Sequence, residues 1–145
     1  MTRPCLLVIE DNPADVQLLR LLLQENGFDC EMVVLRDGLE ALAWVCLHDS
    51  RPHVPRPDLA VLDLNLPKHD GMQIIEAIRQ TRGLEALPIL VLSSSPSSRD
   101  GARLTAFLNI AYRTKPSTLE DYGEIISVIR GMTLTDGTGR APGTR

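Results

Sequence analysis

The sequence predicts an α/β fold, in which a doubly wound parallel sheet of five strands lies between two layers of helices. Short apolar segments of strand length alternate along the chain with longer segments whose apolar residues recur at helical spacing. Residues 59–62 and 89–92 are uninterrupted aliphatic runs, which is typical of strands buried on both faces of a parallel sheet. Such alternation requires right-handed crossovers, and these place helices on both faces of the sheet.

Length and composition indicate one domain, which we expect to span residues 1–130. The chain has 145 residues and 43% hydrophobic content, enough for a core of its own. The formal net charge is −4 without a dense Lys/Arg cluster, so we expect neither nucleic-acid nor membrane binding. No apolar run approaches the roughly 20 residues that cross a bilayer, and the N-terminus leaves no room for a signal peptide. We therefore expect a cytoplasmic location.

The cysteines and histidines show no pattern of a metal site. Three cysteines fall in predicted strands or helices, where buried free thiols are expected rather than a disulfide or a zinc site. Three histidines fall at helix ends or in loops, and we assign them no ligand role. These residues are Cys5, Cys30, Cys46, His48, His53 and His69.

The first strand and helix have clear boundary signals. Strand Cys5–Ile9 is followed by Asn12, a good N-cap, and by Pro13, which suits the first helical position. Asp15 falls in the first turn of this helix, where the helix dipole favours an acid. Gly27 is expected to end the helix.

The second unit is less regular. Residues 28–35 form a strand of mixed polarity, which places it nearer an edge of the sheet. Asp37 and Gly38 start the second helix, and the proline-rich loop 50–57 leads into a third strand at residues 58–63. On the second helix we expect one buried side, carrying Leu39, Leu42, Ala43 and Cys46.

The alternation continues to the end of the domain. Ser117 and Glu120 are spaced as a capping box that opens a fifth helix. We expect that helix to bury Leu119, Tyr122, Ile125, Ile126 and Ile129. The preceding elements are a helix from Gly71 to near Gly83, a strand at 88–92, a helix at 97–109 and a strand at 110–114.

Residues 131–145 are rich in Gly and Thr with little apolar content, which predicts a flexible C-terminal tail. These roughly 15 residues are too few for a folded output domain. We therefore expect the chain to transmit its signal by binding, either to a protein partner or to a second copy of itself.

Polar side chains follow four of the predicted strands. Glu10 and Asp11 follow the first strand, Asp63 ends the third, Ser93 follows the fourth and Lys115 follows the fifth. The carboxyl ends of parallel strands meet at one edge, so these groups can converge. Three carboxylates repel one another and need a cation, and oxygen ligands favour Mg²⁺. The hydroxyl and the ammonium suit a phosphoryl group.

Four motifs resemble the receiver domain of two-component response regulators. They are VIEDN at 8–12, LDLNLPK at 62–68 with Asp70 and Gly71, PILVLS at 88–93 and YRTKP at 112–116. The resemblance extends from about residue 6 to residue 129. It implies a flavodoxin-like sheet with strand order 2-1-3-4-5.

The resemblance also implies a role for each motif residue. Asp63 is the expected phosphoacceptor, Lys115 pairs with the phosphoryl group, and Ser93 and Tyr112 are the switch residues. The expected Mg²⁺ ligands are Asp11, Asp63 and the backbone carbonyl of Asn65, with Glu10 acting mostly through water. The family's usual small residue after the switch hydroxyl is Ser94 here, and its Gly-containing turn before the fifth strand is replaced by residues 107–111.

The implied partner is a sensor histidine kinase. The phrases LNLPK and KPSTLEDY more narrowly resemble small regulators paired with bacterial phytochrome kinases, so a bacteriophytochrome is one candidate. The family also implies a homodimer through the fourth helix, fifth strand and fifth helix. Apolar residues that exceed one core face there are Leu104, Phe107, Leu108 and Val128.

Two alternatives stay open. Asp63-Leu-Asn65 loosely resembles phosphatases of the haloacid dehalogenase type, but those need an acid where Asn65 stands. A receiver-shaped scaffold that signals without phosphate is disfavoured by the intact Asp11, Asp63 and Lys115. The sequence thus favours a phosphoacceptor switch, which catalyses only its own phosphorylation and dephosphorylation.

Overall fold

A computed structural model describes residues 3–48 and 56–134 of the chain. Five strands alternate with five helices. The elements are β1 (Cys5–Ile9), α1 (Pro13–Glu25), β2 (Glu31–Leu35), α2 (Gly38–Cys46), β3 (Leu59–Asp63), α3 (Gly71–Gln80), β4 (Ile89–Ser93), α4 (Ser98–Leu104), β5 (Ile110–Thr114) and α5 (Leu119–Leu134).

The strands form one parallel sheet in the order β2-β1-β3-β4-β5. This confirms the predicted fold class and the strand order implied by the family resemblance. The register pairs Ile9 with Leu62 and Asp63 with Leu92, so the carboxyl ends of the central strands lie side by side. The sheet itself therefore brings the residues after β1, β3 and β4 to one edge.

Side chains of alternate strand residues point into two separate cores. Leu7 and Ile9 of β1 pack with α2, α3 and α4, whereas Leu6 and Val8 pack with α1 and α5. Strands β1, β3 and β4 are buried throughout, but β2 and β5 are partly exposed. The three-layer arrangement and the edge position of the second strand are confirmed.

The predicted start of α1 is also confirmed. The Asn12 side chain accepts a hydrogen bond from the backbone N–H of Ala14 at 2.9 Å, and Pro13 is the first helical residue. Gly27 follows the helix with φ of +73°, a conformation that only glycine adopts without cost.

The predicted buried side of α2 is wrong. Leu39 is 68% exposed, Ala43 and Cys46 are exposed, and Leu42 is only half-buried. Both sides of α2 satisfy helical spacing because Glu40 is its one polar side chain, so tertiary packing decides which side faces the core. The buried residues are Gly38, Ala41, Trp44 and Val45.

The thiols differ in exposure. Cys5 is buried and Cys30 is half-buried, but Cys46 is exposed, so the expectation of a buried thiol is wrong for Cys46. All three are free, as predicted. Burial raises the pKa of the Cys5 thiol to about 11.

Several predicted boundaries shift. Helix α4 ends at Leu104 rather than at 109, because a turn follows and Asn109 adopts a left-handed φ of +58°. The second strand starts at Glu31 rather than at 28, and the third and fourth strands each start one residue later than predicted, the fourth ending at Ser93.

The start of α5 also differs from the prediction. Thr118 Oγ1, rather than Ser117, accepts from the backbone N–H of Asp121 at 3.2 Å. Leu119 is 66% exposed, which corrects its predicted burial, because the first residue of the helix points outward. The other four predicted core residues of this helix are buried.

Some predictions fall outside the described residues. The loop segment 49–55, with His53, and most of the predicted tail, residues 135–145, are among them, and α5 itself reaches Leu134. The flexible tail therefore stays a prediction. Within the ranges that are described, no helix is long and apolar enough to cross a membrane.

Gly38 allows a close contact between α2 and the loop after β3. A methyl group at Gly38 would overlap Cβ and Cγ of His69, which cannot move away as the far end of a side chain could. We expect Gly38→Ala to lower the free energy of unfolding by about 1–3 kcal/mol, measured by urea denaturation.

Gly123→Ala is the matched control. Gly123 lies inside α5 with open space around the position of an added Cβ. Alanine there should stabilise the protein by about 0.5–1 kcal/mol. A Gly38→Ala variant as stable as Gly123→Ala would contradict the close contact.

Candidate functional site

The candidate site lies at the carboxyl edge of the sheet, where backbone hydrogen bonds fix its residues. The N–H of Glu10, directly after β1, donates to Leu35 O of β2 at 3.0 Å. Asp63 and Ser93 are the last residues of β3 and β4. The N–H of Lys115 donates to Ser93 O at 2.8 Å, which carries the end of β5 to its neighbour.

Three carboxylates converge there. Glu10, Asp11 and Asp63 each offer an oxygen, and these oxygens lie within 4.8 Å of one another. Glu10 and Asp63 are 7% and 6% exposed, whereas Asp11 is exposed. A set of carboxylate oxygens with one side open to solvent fits a hard divalent cation that keeps some of its water.

Backbone N–H groups orient two of the carboxylates. Asn12 N donates to Glu10 Oε2 at 3.1 Å, and Asn65 N donates to Asp63 Oδ1 at 2.9 Å. Both donors come from the loops directly after the strands. The acids are therefore held in place before any cation is considered.

The ammonium group of Lys115 joins the acids from the other side. Its Nζ lies 2.8 Å from Glu10 Oε1, 2.8 Å from Asp15 Oδ2 and 3.2 Å from Asp63 Oδ2. An ammonium has three hydrogens, so each can have its own carboxylate. The lysine thus links β1, α1 and β3 through charge-assisted bonds.

The pKa values of this cluster reflect burial and charge together. Burial raises the pKa of Glu10 to about 7, although Lys115 and the Asn12 N–H act in the opposite direction. Burial would lower the pKa of Lys115, but its bonds to Asp15 and Glu10 and the charge of Asp63 outweigh burial and raise it. Lys115 therefore stays charged throughout the physiological range.

Asp15 is the residue that the sequence analysis missed. The sequence placed it in the first turn of α1, and only its favourable interaction with the helix dipole was recognised. The structure brings it to Lys115, so four acids rather than three surround the site. The available signal was its position one turn beyond Glu10 and Asp11.

Ser93 is completely buried and bonded to the loop after β3. Its Oγ donates to Asn65 Oδ1 at 3.1 Å and accepts from Ser95 N at 3.2 Å. Ser94 N donates to the same Asn65 oxygen at 3.2 Å. The Asn65 side chain therefore links the ends of β3 and β4.

Tyr112, on β5, contacts the start of α4. Its hydroxyl oxygen accepts a hydrogen bond from Ser97 N at 3.1 Å, and its ring lies beside Gly101. Ser97 is the N-cap of α4, so this contact ties the helix to β5.

Comparison with known proteins agrees with this geometry. The family described as the response regulator receiver domain matches residues 6–127. The chain belongs to the response regulator receiver family. Members of this family are response regulators rather than conventional enzymes. The family predicted from the sequence motifs is therefore confirmed.

The receiver is similar in sequence and structure to other response regulators. It is 34% identical over 129 residues to Response regulator Rcp1 of Synechocystis sp., covering 89% of this chain and 88% of that protein. The phosphorylated cyanobacterial phytochrome response regulator RcpA is 30% identical with a TM-score of 0.75, covering 92% and 94% of the two chains. The Mn²⁺-bound form of Rcp1 is 33% identical with a TM-score of 0.73, covering 90% and 92%.

These similarities relate the receiver to phytochrome response regulators, as its narrower motifs predicted. The Mn²⁺-bound state is that of Rcp1. In this receiver, the acidic cluster is of a kind that could hold a divalent cation.

The floor of the receiver's site is apolar. A cavity of about 20 Å³ lies between the ion pairs and side chains that include Val16, Val61 and Leu92. It has room for about one water molecule. Because apolar side chains close the site from below, its charges interact more strongly than they would in water.

We expect Lys115→Met to destabilise the metal-free receiver by about 3 kcal/mol at pH 8, because three acids lose their shared cation. In the wild type, ionisation of buried Glu10 costs stability as the pH rises towards its folded-state pKa of about 7. Above that pH the cost is constant. Without the ammonium this pKa rises further, so the loss continues above pH 7 and the variant's deficit is larger at pH 8 than at pH 6.

Chemical denaturation in EDTA at pH 6 and pH 8 measures this difference. Adding Mg²⁺ in place of EDTA should recover most of the deficit, since a divalent cation replaces the missing positive charge. A deficit of the same size at both pH values would show that Lys115 does not act through the ionisation of Glu10.

Proposed function

We propose that this receiver is a phosphoacceptor switch, which takes a phosphoryl group from a sensor histidine kinase onto Asp63 in the presence of Mg²⁺. The observation that carries the proposal is the setting of Asp63. Its buried carboxylate is oriented by the Asn65 N–H, lies 3.2 Å from an ammonium and shares its pocket with two more acids. A nucleophilic carboxylate beside positive charge is suited to phosphoryl transfer.

Asp11, Asp63 and the backbone carbonyl of Asn65 would hold Mg²⁺ directly, and Glu10 would act mostly through water. The supporting observation is the donor set, which consists of oxygens at the open edge of the site. The bound cation would supply neutralisation of the charge on the phosphoryl oxygens.

The transfer is an in-line displacement. Asp63 forms an O–P bond while the N–P bond of the kinase phosphohistidine breaks, and the histidine, whose other ring nitrogen carries a proton, leaves as neutral imidazole. Lys115 neutralises charge on the phosphoryl oxygens, so the protein mainly positions and compensates charge. Water later cleaves the acyl phosphate, which restores the Asp63 carboxylate and releases inorganic phosphate. The side chains of Asn65 and Ser95 flank the path of that water and set the lifetime.

Switching would use two existing hydrogen bonds. Ser93 would leave Asn65 to bond a phosphoryl oxygen, and Tyr112 would leave Ser97 and turn inward. Each bond contributes only about 1 kcal/mol net, so a phosphoryl group with several strong acceptor oxygens can outweigh them. The surface formed by α4, β5 and α5 would change as a result.

The proposed kinase is a bacteriophytochrome, since RcpA is described as a phytochrome response regulator. A kinase that uses intracellular ATP would place the receiver in the cytoplasm. The proposed output is a homodimer through the α4–β5–α5 surface.

The apolar part of that surface is smaller than the sequence suggested. Leu104 is buried in the receiver's own core, and Phe107 and Val128 pack against the core. Leu108, which is 80% exposed, and Leu119 of α5, which is 66% exposed, are the large apolar side chains that remain exposed there. Exposed charges on the same surface, including Arg113 and Glu124, would form its polar rim.

The alternative of a haloacid dehalogenase-type phosphatase loses its support. The chain belongs to a different family, and Asn65 occupies the place of the required acid. Labelling by acetyl phosphate distinguishes the phosphate-independent scaffold from the proposed function, because a scaffold of that kind would take no label.

We expect Asp63→Asn to abolish labelling by acetyl phosphate with Mg²⁺, because an amide cannot form the acyl phosphate. Phosphate-affinity electrophoresis and intact-protein mass spectrometry measure the label. Asp29→Asn, which removes an exposed acid just before β2 at the opposite edge of the sheet, should label like the wild type.

Label that persists on another residue of Asp63→Asn would refute Asp63 as the acceptor. A wild type that takes no label under these conditions would favour the phosphate-independent scaffold.

We expect beryllofluoride, which imitates a bound phosphoryl group, to shift the receiver from monomer towards dimer in analytical ultracentrifugation. Leu108→Ser should weaken this dimer at least tenfold, because it removes the most exposed apolar side chain of the surface. Leu21→Ser, an exposed apolar position on α1, is the matched control and should dimerise like the wild type. A monomer with and without beryllofluoride would rule out the homodimer.

A further inference from the structure

Asp15 contacts Lys115 but has no place in the chemistry proposed above. The two atoms concerned, Asp15 Oδ2 and Lys115 Nζ, are 2.8 Å apart, closer than Nζ is to the proposed acceptor Asp63. Asp15 also lies outside the three acids whose oxygens gather within 4.8 Å of one another. Its contact is therefore with the lysine and not with the cluster that could hold a cation.

The three carboxylates around Lys115 are not equivalent. Glu10 and Asp63 are buried, and each is fixed by a backbone N–H. The side chain of Asp15 is 30% exposed and comes from the first turn of α1 rather than from a strand end. Asp15 therefore pulls the ammonium away from the sheet edge, towards α1.

A phosphoryl group on Asp63 would need a hydrogen of the same ammonium. Three carboxylates already lie within 3.2 Å of its nitrogen, so a phosphoryl oxygen has to compete with them for the ammonium. Forming the acyl phosphate removes the charge of the Asp63 carboxylate itself. Asp15 would remain as a charged competitor for Lys115 in the phosphorylated state.

The charge of Asp15 also acts on a cation. Glu10, Asp11, Asp15 and Asp63 carry four negative charges against one on Lys115, which leaves a formal charge of −3 at the site. A negative charge this close favours a divalent cation and disfavours an anion. Its effects on the two ligands therefore have opposite signs.

We infer that Asp15 is a positioning residue, which holds the Lys115 ammonium against α1. Its charge strengthens the binding of a divalent cation and weakens the interaction of Lys115 with the phosphoryl group. This inference rests on the proposed function. According to this inference, Asp15 sets the affinity for the divalent cation relative to the affinity for the phosphoryl group.

A purely structural role makes a different prediction. An acid in the first turn of a helix stabilises that helix through the dipole. Loss of that effect would lower the stability of α1. It would then weaken the binding of both ligands together, or leave both affinities unchanged. Asp121, an exposed acid in the first turn of α5, provides the matched control for charge removed from a helix start.

The experiment compares the wild type with Asp15→Asn, Asp15→Glu and Asp121→Asn. Calorimetric titration measures the affinity for Mg²⁺ alone and for beryllofluoride at saturating Mg²⁺, and thermal denaturation measures stability. Asp15→Asn should bind Mg²⁺ about threefold to tenfold more weakly and beryllofluoride more tightly by a similar factor. Asp15→Glu should restore both affinities towards the wild type, and Asp121→Asn should leave both unchanged.

A readout without metal tests the contact itself. In metal-free protein labelled with ¹⁵N-lysine, the ammonium hydrogens of Lys115 should exchange with water faster in Asp15→Asn than in the wild type, because one charged partner is lost.

Unchanged affinities in Asp15→Asn, or a loss of both affinities together with a lower melting temperature, would overturn the inference and leave Asp15 a structural role. A wild type that binds Mg²⁺ but no beryllofluoride would instead refute the proposed function, and the inference with it.

Discussion

The charge balance around Lys115 is the constraint on which this site depends. Two nearly buried carboxylates, Glu10 and Asp63, would repel each other without a cation, and the ammonium lies between them at 2.8 and 3.2 Å. Burial raises the pKa of Glu10 to about 7 even with Lys115 present, which shows how costly a buried negative charge is at this point. The parallel sheet makes the arrangement possible, because its register places the ends of β1, β3 and β4 side by side. The backbone N–H of Lys115 donates to Ser93 O, which brings the end of β5 to the same point.

Polar contacts connect the site to the surface formed by α4, β5 and α5. Asn65 joins β3 to Ser93, and Tyr112 joins β5 to the N-cap of α4. Arg103 of α4 pairs at 2.8 Å with Asp70, which caps α3. Helix α4 has seven residues and buries only Leu104, so it is too short to be stable without these contacts. A segment held by few bonds is the kind of element that a local change of charge can move.

Asp15 and α2 show where reasoning from the sequence was incomplete. Asp15 had a sufficient local explanation in the helix dipole, so nothing in the pattern required Lys115 as a partner, one hundred residues away and directly after β5. In α2, nearly every side chain is apolar, so two faces satisfied helical spacing equally well. The contact of Gly38 with His69 and the burial of Trp44 selected one face. In both cases the deciding contact came from a distant segment.

The sequence by itself determined the alternation of strands and helices, the starts of α1 and α2, and the set of polar residues at the strand ends. These depend on local preferences and on residue types, which are readable without a partner. The tertiary structure decided which face of α2 is buried, where α4 ends, that Leu104 belongs to the core, and that Lys115 has a third acid. Those features depend on which segments meet in space, and contact between distant segments leaves no periodic signal in a single chain.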